Sequence, residues 1–263
     1  MSDTLHLGQV KVKTVLTKSN LPIAGYSVNP YIGCTHACRY CYACFMKRFT
    51  GHEEPWGTFL DVKYWEKIKN PKKYNNSTVI VGSVTDAYNP QEEQFRRTRA
   101  FLEEMLGSKI NLIITTKSDL VLRDLDLIKT FPSPLVSWSV NTLDEAFKED
   151  MDKAVSIERR IAAMKKCHEE GIRTTCFISP IFPEISADQA IREKTVKTFF
   201  LPYAENFRFE VPSFAALHSF ALWEKCFCPK TEIYNAVLAC FRPRAGDGDA
   251  QNQRVRTCHF VTK

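Results

Sequence analysis

The sequence predicts an α/β fold, an open partial barrel in which short parallel strands alternate with helices. Short apolar runs rich in β-branched residues alternate with longer amphipathic segments along most of the chain. About six such strand–helix units can be recognised, fewer than the eight of a closed barrel. In folds of this kind the functional side chains follow the carboxyl ends of the strands, so those positions carry most of the functional information.

The elements follow from the pattern in chain order. The run 78–82 is short, apolar and β-branched, which is typical of a buried strand. Residues 91–106 are amphipathic and are the helix that follows it. The run 156–170 is also helical, with Gly171 as a plausible residue to end it. The remaining predicted elements are strand 111–115, helix 120–130, strand 134–140, strand 173–178, helix 187–200 and strand 207–211.

Composition places the chain among folded globular proteins. It has 263 residues, of which 44% are hydrophobic and 25% charged, so no long disordered stretch is expected. No apolar run is long enough to span a membrane. The first residues lack the apolar core of a secretory signal. We therefore expect a cytoplasmic protein with no membrane association.

The formal net charge is +6, which is mildly basic. Such a surplus suits a nucleic-acid partner. A solvated surface with slightly more lysine than acidic residues is the simpler explanation. Charge alone therefore does not identify a partner.

The domain organisation is predicted from changes in composition. Residues 1–25 form an N-terminal extension, 26–212 the partial barrel and 213–263 a C-terminal extension. The chain has ten cysteines. In a reducing compartment clustered thiols more often bind metal than form disulfides. Four cysteines of the C-terminal extension are candidate ligands of an auxiliary iron–sulfur cluster or a zinc ion, although their spacing is irregular and free thiols are the alternative: Cys226, Cys228, Cys240 and Cys258.

The strongest motif is a cysteine triad with the spacing C-x3-C-x2-C. Cys34, Cys38 and Cys41 can bind three irons of a 4Fe–4S cluster, whereas four thiolates would close it. The open iron suits the amino and carboxylate groups of S-adenosylmethionine. One electron from the cluster would then cleave this cofactor to a 5′-deoxyadenosyl radical that removes hydrogen from a substrate. Cys44 supplies a fourth thiol, so a closed cluster or a zinc knot is the alternative.

Five blocks at successive predicted strand ends resemble one family. They are Cys-Thr-His-Ala-Cys-Arg-Tyr-Cys-Tyr-Ala at 34–43, Gly-Ser-Val-Thr-Asp-Ala-Tyr-Asn-Pro at 82–90, Thr-Thr-Lys-Ser-Asp-Leu-Val-Leu-Arg-Asp at 115–124, Val-Ser-Trp-Ser-Val-Asn-Thr-Leu-Asp-Glu at 136–145 and Ile-Ser-Pro-Ile-Phe-Pro at 178–183. Over roughly residues 26–211 the chain resembles the spore photolyase-like branch of the radical S-adenosylmethionine (SAM) superfamily. The resemblance implies a partial TIM-like barrel, a 4Fe–4S cluster, S-adenosylmethionine and an external reductant such as flavodoxin or ferredoxin.

The resemblance also implies roles for individual residues. Tyr40 and Tyr42 would lie near the adenine and the path of the radical. Asp86 would orient a tyrosine or bind substrate, or else cap a turn. The methionine end or the ribose of the cofactor would contact Thr85, Lys117, Ser139 and Asn141.

Simpler explanations exist for several of these residues. Lys117 could be a solvated lysine at the start of a helix. Ser139 and Asn141 could cap the helix that begins near Asp144. His36, inside the cysteine loop, is expected to shape the loop rather than to bind iron.

One departure from the family bears on the substrate. In spore photolyases proper a cysteine after the second strand donates a hydrogen atom to the product radical, and Ser83 stands at that place here. A hydroxyl O–H bond is stronger than a thiol S–H bond, so Ser83 is a poor replacement. Cys176 could serve instead, but a buried core thiol is the expected interpretation.

Three functions remain open from the sequence. The first is a radical enzyme acting on nucleic acid, for which a basic rim with aromatic residues could stack bases, although Phe45 and Phe49 are expected to be core residues. The second is a radical enzyme acting on a peptide, a protein or a small molecule, a substrate that a partner protein could supply. The third is a non-catalytic metal or iron–sulfur module. The rim comprises Phe45, Lys47, Arg48, Phe49 and Trp56.

Overall fold

The computed structural model describes residues 5–21 and 23–177. The strands in this part are β1 His6–Val12, β2 Leu16–Lys18, β3 Tyr26–Val28, β4 Tyr31–Gly33, β5 Phe59–Trp65, β6 Thr78–Val81, β7 Asn111–Thr116, β8 Leu135–Ser139 and β9 Arg173–Phe177. A six-stranded sheet has the order β2–β3–β6–β7–β8–β9. Its neighbouring strands are parallel from β3 to β9, and β2 pairs antiparallel to β3. This mostly parallel open sheet confirms the predicted α/β class.

Helices connect the parallel strands. They are α1 Glu92–Phe95, α2 Arg97–Glu104, α3 Leu125–Ile128, α4 Glu145–Met151 and α5 Ile157–Glu169, with 3-10 helices at Tyr42–Phe49, Pro71–Tyr74 and Leu120–Asp124. The longest, α5, confirms the helix predicted over 156–170. The Ser156 hydroxyl accepts the N–H of Arg159 at 3.2 Å, which caps its start. Gly171 follows its end with φ of +78°, the left-handed conformation expected there.

The continuous helix predicted over 91–106 was wrong. The chain leaves the helical conformation at Arg96, where φ is +49°. The carboxylate of Glu92 accepts the N–H groups of Thr98 at 2.9 Å and Arg99 at 3.2 Å. The first N–H groups of any helix lack partners within that helix. Glu92 supplies acceptors for two of these groups in α2 and so stabilises the start of a second, separate helix. Glu92 is fully buried and is held there by Arg123 at 2.6 Å.

The helix predicted over 120–130 divides into a 3-10 helix and the short helix α3. Asp124, at the junction, is fully buried. It pairs with Arg99 at 2.9 Å and with Arg123 at 2.8 Å. These ion pairs fix the junction between the two helices. Because Arg99 comes from another segment of the chain, the local sequence pattern does not reveal the division.

A second, three-stranded sheet has the order β1–β5–β4. Strand β1 pairs parallel with β5 from His6–Phe59 to Val12–Trp65. Strand β4 pairs antiparallel with the other edge of β5. Strands β1 and β2 therefore bring residues of the predicted N-terminal extension into the two sheets.

The two faces of the main sheet differ. Thr116, Trp138 and Cys176 share one face because β7, β8 and β9 pair in register at these residues, and all three are buried. The alternate positions Thr115 and Ser137 are half-buried on the opposite face. Because helices cover the outer face of a partial barrel, we assign the buried face to the outside and the half-buried face of Thr115 and Ser137 to the concave side.

Some predictions lie outside the described residues. These are the helix over 187–200, the strand over 207–211 and the C-terminal extension. No helix in residues 5–21 and 23–177 combines the length and apolar character needed to cross a membrane.

Candidate cofactor site

The cysteine loop, residues 34–41, joins β4 to the 3-10 helix Tyr42–Phe49. The backbone carbonyls of Cys34, Cys38 and Cys41 each accept a hydrogen bond from the N–H three residues later, at 3.2, 3.1 and 3.4 Å. Each cysteine thus begins a tight turn. Short-range turns therefore fix the spacing of the three thiols along the loop.

The thiols of this loop share a largely buried environment. Burial raises the pKa of Cys34 well above its usual range, and the charges of Asp86, Cys38 and Cys41 act in the same direction. Burial also raises the pKa of Cys38 to about 12. The thiols are therefore near enough to influence one another's ionisation. Cys44, by contrast, is exposed.

Three cysteine thiols are a donor set of the kind that holds iron–sulfur clusters. Among residues 5–21 and 23–177, no three His, Cys, Asp or Glu side chains converge as one metal ion requires. A zinc ion draws its thiolates to about 2.3 Å from one point. A cluster binds each thiolate to a different iron and so accepts wider spacing.

Lys117 lies at the loop, directly after β7. Its ammonium is 5.6 Å from the centroid of the Tyr40 ring. Burial opposes the charge, but Tyr40, Cys38 and Asp152 raise the pKa of Lys117 above its usual value. Lys117 is therefore a cation facing the cysteine loop, not a freely solvated lysine.

Asp86, after β6, is a buried hub. Its carboxylate accepts the N–H of Tyr88 at 2.9 Å, the hydroxyl of Thr116 at 2.8 Å and the N–H of Lys117 at 2.7 Å. Nε2 of His36 lies 3.0 Å from Oδ2, the carboxylate oxygen that also accepts the N–H of Lys117. Burial opposes ionisation, but His36 and these backbone donors lower the pKa of Asp86 to about 2. Such contacts favour a positioning role over a role in binding substrate.

The segment after β6 also contacts both ends of the cysteine loop. The Thr85 hydroxyl donates to the carbonyl of Gly33 at 2.6 Å. The Tyr42 hydroxyl donates to the carbonyl of Ser83. The side-chain amide of Asn29 donates to the Ser83 hydroxyl at 3.0 Å. Ser83 therefore lies beside Tyr42, where the resemblance expects a hydrogen donor.

Ser139 and Asn141 are buried at the carboxyl end of β8. The side chain of Asp144 caps the next helix, because it accepts the N–H of Phe147 at 3.1 Å. Thr142 in turn accepts the N–H of Asp144 at 3.0 Å. Capping of this helix therefore requires neither Ser139 nor Asn141.

Cys176 lies on the buried outer face with Trp138, not on the concave side. Burial raises its pKa to about 12. This placement favours the core-thiol interpretation over hydrogen donation. The C-terminal cysteine group, Cys226 to Cys258, lies outside the described residues.

Two residues near the site were missed from the sequence. Asp152 accepts the Tyr40 hydroxyl at 3.1 Å and pairs with Arg160 at 2.6 Å. Arg160 is fully buried on the same helical face as Ile157 and Met164. A charged residue on an apolar helix stripe was the available signal.

Fold and site together define a cofactor-dependent α/β enzyme class, with a thiol loop at the carboxyl edge of a parallel sheet. The family model described as the radical SAM superfamily matches residues 28–193. This chain belongs to the radical SAM superfamily, whose members use a 4Fe–4S cluster and S-adenosylmethionine.

Several known proteins are similar to this chain in sequence. An uncharacterized protein of Methanocaldococcus jannaschii is 39% identical over 188 residues, covering 70% of this chain and 71% of that protein. An uncharacterized protein of Acidianus two-tailed virus is 31% identical over 182 residues, covering 64% of this chain and 60% of the viral protein. The radical SAM Nalpha-GlyT isomerase of Pseudomonas phage M6 is 25% identical over 62% of this chain and 34% of that protein.

Solved structures show the same fold. A mutant of spore photoproduct lyase superposes with a TM-score of 0.62 at 18% identity, covering 86% of this chain and 67% of the lyase. The lyase complexed with dinucleoside spore photoproduct gives 0.53 at 19% identity over the same shares. The partial-barrel fold of the radical SAM type is thus confirmed.

Proposed function

We propose that Cys34, Cys38 and Cys41 ligate a 4Fe–4S cluster and that S-adenosylmethionine binds between this loop and the strand ends. When bound, the pair supplies a carbon radical by one-electron cleavage of the sulfonium bond. The Lys117 ammonium would pair with the methionine carboxylate, and its contact with Tyr40 would orient it. Ser139 and Asn141 would hydrogen-bond the ribose.

The assignments beyond the superfamily remain part of the proposal. Thr85 and Tyr42 would border the cofactor. The Thr85 hydroxyl donates to the carbonyl of Gly33, directly before the cysteine loop, and Tyr42 directly follows that loop and donates to the carbonyl of Ser83. The barrel would extend over 26–212, between the extensions 1–25 and 213–263. Radical SAM enzymes need an external reductant, and flavodoxin or ferredoxin would supply it. A second cluster or a zinc ion would bind at Cys226, Cys228, Cys240 and Cys258.

We further propose that the substrate is a nucleic acid. One observation carries this proposal: the 3-10 helix after the cysteine loop presents aromatic side chains to solvent. Phe45 is 42% and Phe49 is 66% exposed, so the expectation that they are core residues was wrong. Arg48 lies over both rings, 5.5 Å from the Phe45 centroid and 4.6 Å from that of Phe49. We call Tyr42, Phe45, Lys47, Arg48 and Phe49 the aromatic–basic surface.

This surface has the chemistry that single-stranded nucleic acid requires. Aromatic rings stack on bases irrespective of sequence, and nearby cations neutralise phosphates. The helix spans about 16 Å from its first residue beside Cys41, so the surface borders the proposed radical source. The net charge of +6 also favours the binding of a polyanion such as nucleic acid. A spore photoproduct lyase of the same fold is complexed with a dinucleoside photoproduct, which is consistent with such a substrate.

Binding measurements test the substrate class. The double variant Phe45→Ala/Phe49→Ala should bind single-stranded oligonucleotides at least about tenfold more weakly, because stacking is worth about 1–3 kcal/mol per base. Arg48→Ala should reduce the slope of log affinity against log salt concentration by about one, the value expected for the loss of one phosphate contact. The matched control is Ile23→Ala, because Ile23 is an apolar side chain that is 55% exposed but lies outside the aromatic–basic surface. This variant should bind like the parent.

The outcomes separate the two substrate classes. If the parent chain binds no oligonucleotide at low salt, the nucleic-acid proposal is wrong. Ser83, in place of a donor cysteine, favours the second candidate, a peptide, protein or small molecule. Reduced enzyme with S-adenosylmethionine should then release extra 5′-deoxyadenosine with peptide or metabolite fractions of a cell extract. Stimulation by nucleic-acid fractions alone would exclude that candidate.

A further inference from the structure

Residues 151–153, at the end of α4 and just after it, make three hydrogen bonds to the cysteine loop. The carbonyl of Met151 accepts the N–H of Arg39 at 2.9 Å. The N–H of Lys153 donates to the carbonyl of His36 at 2.7 Å. Between these two backbone bonds, the carboxylate of Asp152 accepts the Tyr40 hydroxyl at 3.1 Å. The side chain of Asp152 is thus aligned on Tyr40 by backbone contacts on both sides.

Arg160 fixes Asp152 from behind. The two side chains pair at 2.6 Å, and their exposures are only 0% and 1%. The same guanidinium donates to the carbonyl of Ser139 at 3.1 Å and to the carbonyl of Val155 at 3.0 Å. The position of Asp152 is therefore tied to the carboxyl end of β8, which carries Ser139.

Tyr40 connects Asp152 to Lys117. The hydroxyl of Tyr40 is bound to Asp152, while its ring lies under the Lys117 ammonium at 5.6 Å. Lys117 follows β7, and Asp152 is tied to β8. A single tyrosine thus links the cysteine loop to the ends of two neighbouring strands.

We infer that Asp152, supported by Arg160, is a positioning residue that acts through Tyr40 to align the cysteine loop with Lys117 for cofactor binding. This inference rests on the proposed roles of Cys34, Cys38, Cys41 and Lys117. Asp152 itself would touch neither the cluster nor S-adenosylmethionine. Residues that orient metal-site groups from behind commonly change affinity or activity by about 10–100-fold when altered.

Two substitutions test the inference in the full chain, reconstituted anaerobically with iron and sulfide. Tyr40→Phe removes only the hydroxyl that Asp152 binds and keeps the ring under Lys117. Asp152→Asn keeps the shape but removes the charge that pairs with Arg160. The matched control is Asp150→Asn, two residues away, whose ion pair with Arg39 is largely exposed at 62% and 59%. The readouts are iron content, S-adenosylmethionine affinity and the electron paramagnetic resonance spectrum of the reduced cluster with and without the cofactor.

We expect Tyr40→Phe and Asp152→Asn to retain iron but to bind S-adenosylmethionine about tenfold more weakly. The spectral change that the cofactor causes should be reduced in both, whereas Asp150→Asn should match the parent. A merely structural role would lower iron content and leave the spectrum of the loaded fraction unchanged, which would overturn the inference. Should Asp152→Asn fail to fold, Tyr40→Phe decides alone, and parental affinity in that variant refutes the inference.

Failure of the proposed function gives a different result. In that case the parent chain itself takes up no cluster, or its spectrum does not respond to S-adenosylmethionine. Both the proposed function and the inference would then be wrong. A responsive parent with an unaffected Tyr40→Phe variant would refute the inference alone.

Discussion

Nε2 of His36 lies 3.0 Å from a carboxylate oxygen of Asp86, which pairs the middle of the cysteine loop with the segment after β6. Both side chains are buried. His36 thus shapes the loop, as expected from its position between two cysteines. Replacing Asp86 should have a larger effect than replacing His36, because three further donors hydrogen-bond to Asp86.

Replacing Asp86 should destabilise the protein strongly. Asp86→Ala leaves His36 and two backbone N–H groups without their buried acceptor, and breaking such a buried pair costs about 3–5 kcal/mol. Urea unfolding of the metal-free chain measures this loss. Asp126→Asn, which alters a carboxylate 57% exposed, should change stability by less than about 1 kcal/mol. A loss below 1 kcal/mol for Asp86→Ala would contradict the role of Asp86 as a hub.

Gly82 at the end of β6 should not tolerate a side chain. Its φ is +90°, and a Cβ would lie 2.6 Å from the carbonyl oxygen of Thr115. Gly107 has φ of +78° with nothing within 4 Å, so Gly107→Ala isolates the backbone strain of about 1–2 kcal/mol. Gly82→Ala should lose clearly more than this control in thermal or urea unfolding. Equal losses would mean that the neighbouring strand yields to the added methyl group.

His52 should make stability depend on pH near neutrality. Its ring nitrogens lie 3.0 Å from Glu54 and 3.0 Å from Asp61, and Glu54 also pairs with His6. Burial opposes the charge of His52, but the two carboxylates raise its pKa. The folded pKa therefore exceeds the unfolded value of about 6.5. Stabilisation by this group is complete below the unfolded pKa and is lost as pH rises through the folded pKa.

The measurement is urea unfolding at a series of pH values from below the unfolded pKa to above the folded one. His52→Gln should flatten this part of the profile. Ile23→Ala, which removes an exposed side chain that does not titrate, is the control and should keep the parental slope. A parental profile in His52→Gln would show that other groups cause the dependence.

Iron binding should distinguish the loop cysteines from their neighbour. Cys44 is exposed, whereas Cys34 is buried and the two others are half-buried. Cys38→Ala should abolish stable cluster assembly, while Cys44→Ala should keep parental iron content and response to S-adenosylmethionine. Iron analysis and absorption spectra after reconstitution measure both. Loss of the cluster in Cys44→Ala would favour the closed four-thiolate site.

The parts of the fold and site that sequence predicted are those set by local pattern. The strands β6 to β9 follow from short β-branched runs, and α5 from its apolar stripe. The closeness of the three loop thiols follows from their short spacing in sequence, whereas their role as cluster ligands stays a prediction. The break at Arg96 did not follow, because Glu92 is held in place by Arg123 from another segment. The contact of Tyr40 with Asp152 joins residues 112 positions apart, and no local pattern encodes it.

The exposure of Phe45 and Phe49 illustrates a second limit. Their spacing on a short helix is compatible with a core face, and aromatic side chains are usually buried. Only the placement of that helix at the end of the cysteine loop leaves them open to solvent. Burial of a short helix depends on its neighbours in space, which its own sequence does not specify.

Strand β1 has a consequence for any shortened form of this protein. It covers one edge of β5 over seven residue pairs, and the opposite edge of β5 binds β4, which leads directly into Cys34. Removing the chain before Lys13 would leave the backbone donors and acceptors at the β1 edge of β5 unpaired, and an open edge of this kind invites pairing between molecules. Truncated protein should therefore self-associate, with the disturbance lying one strand away from the thiols.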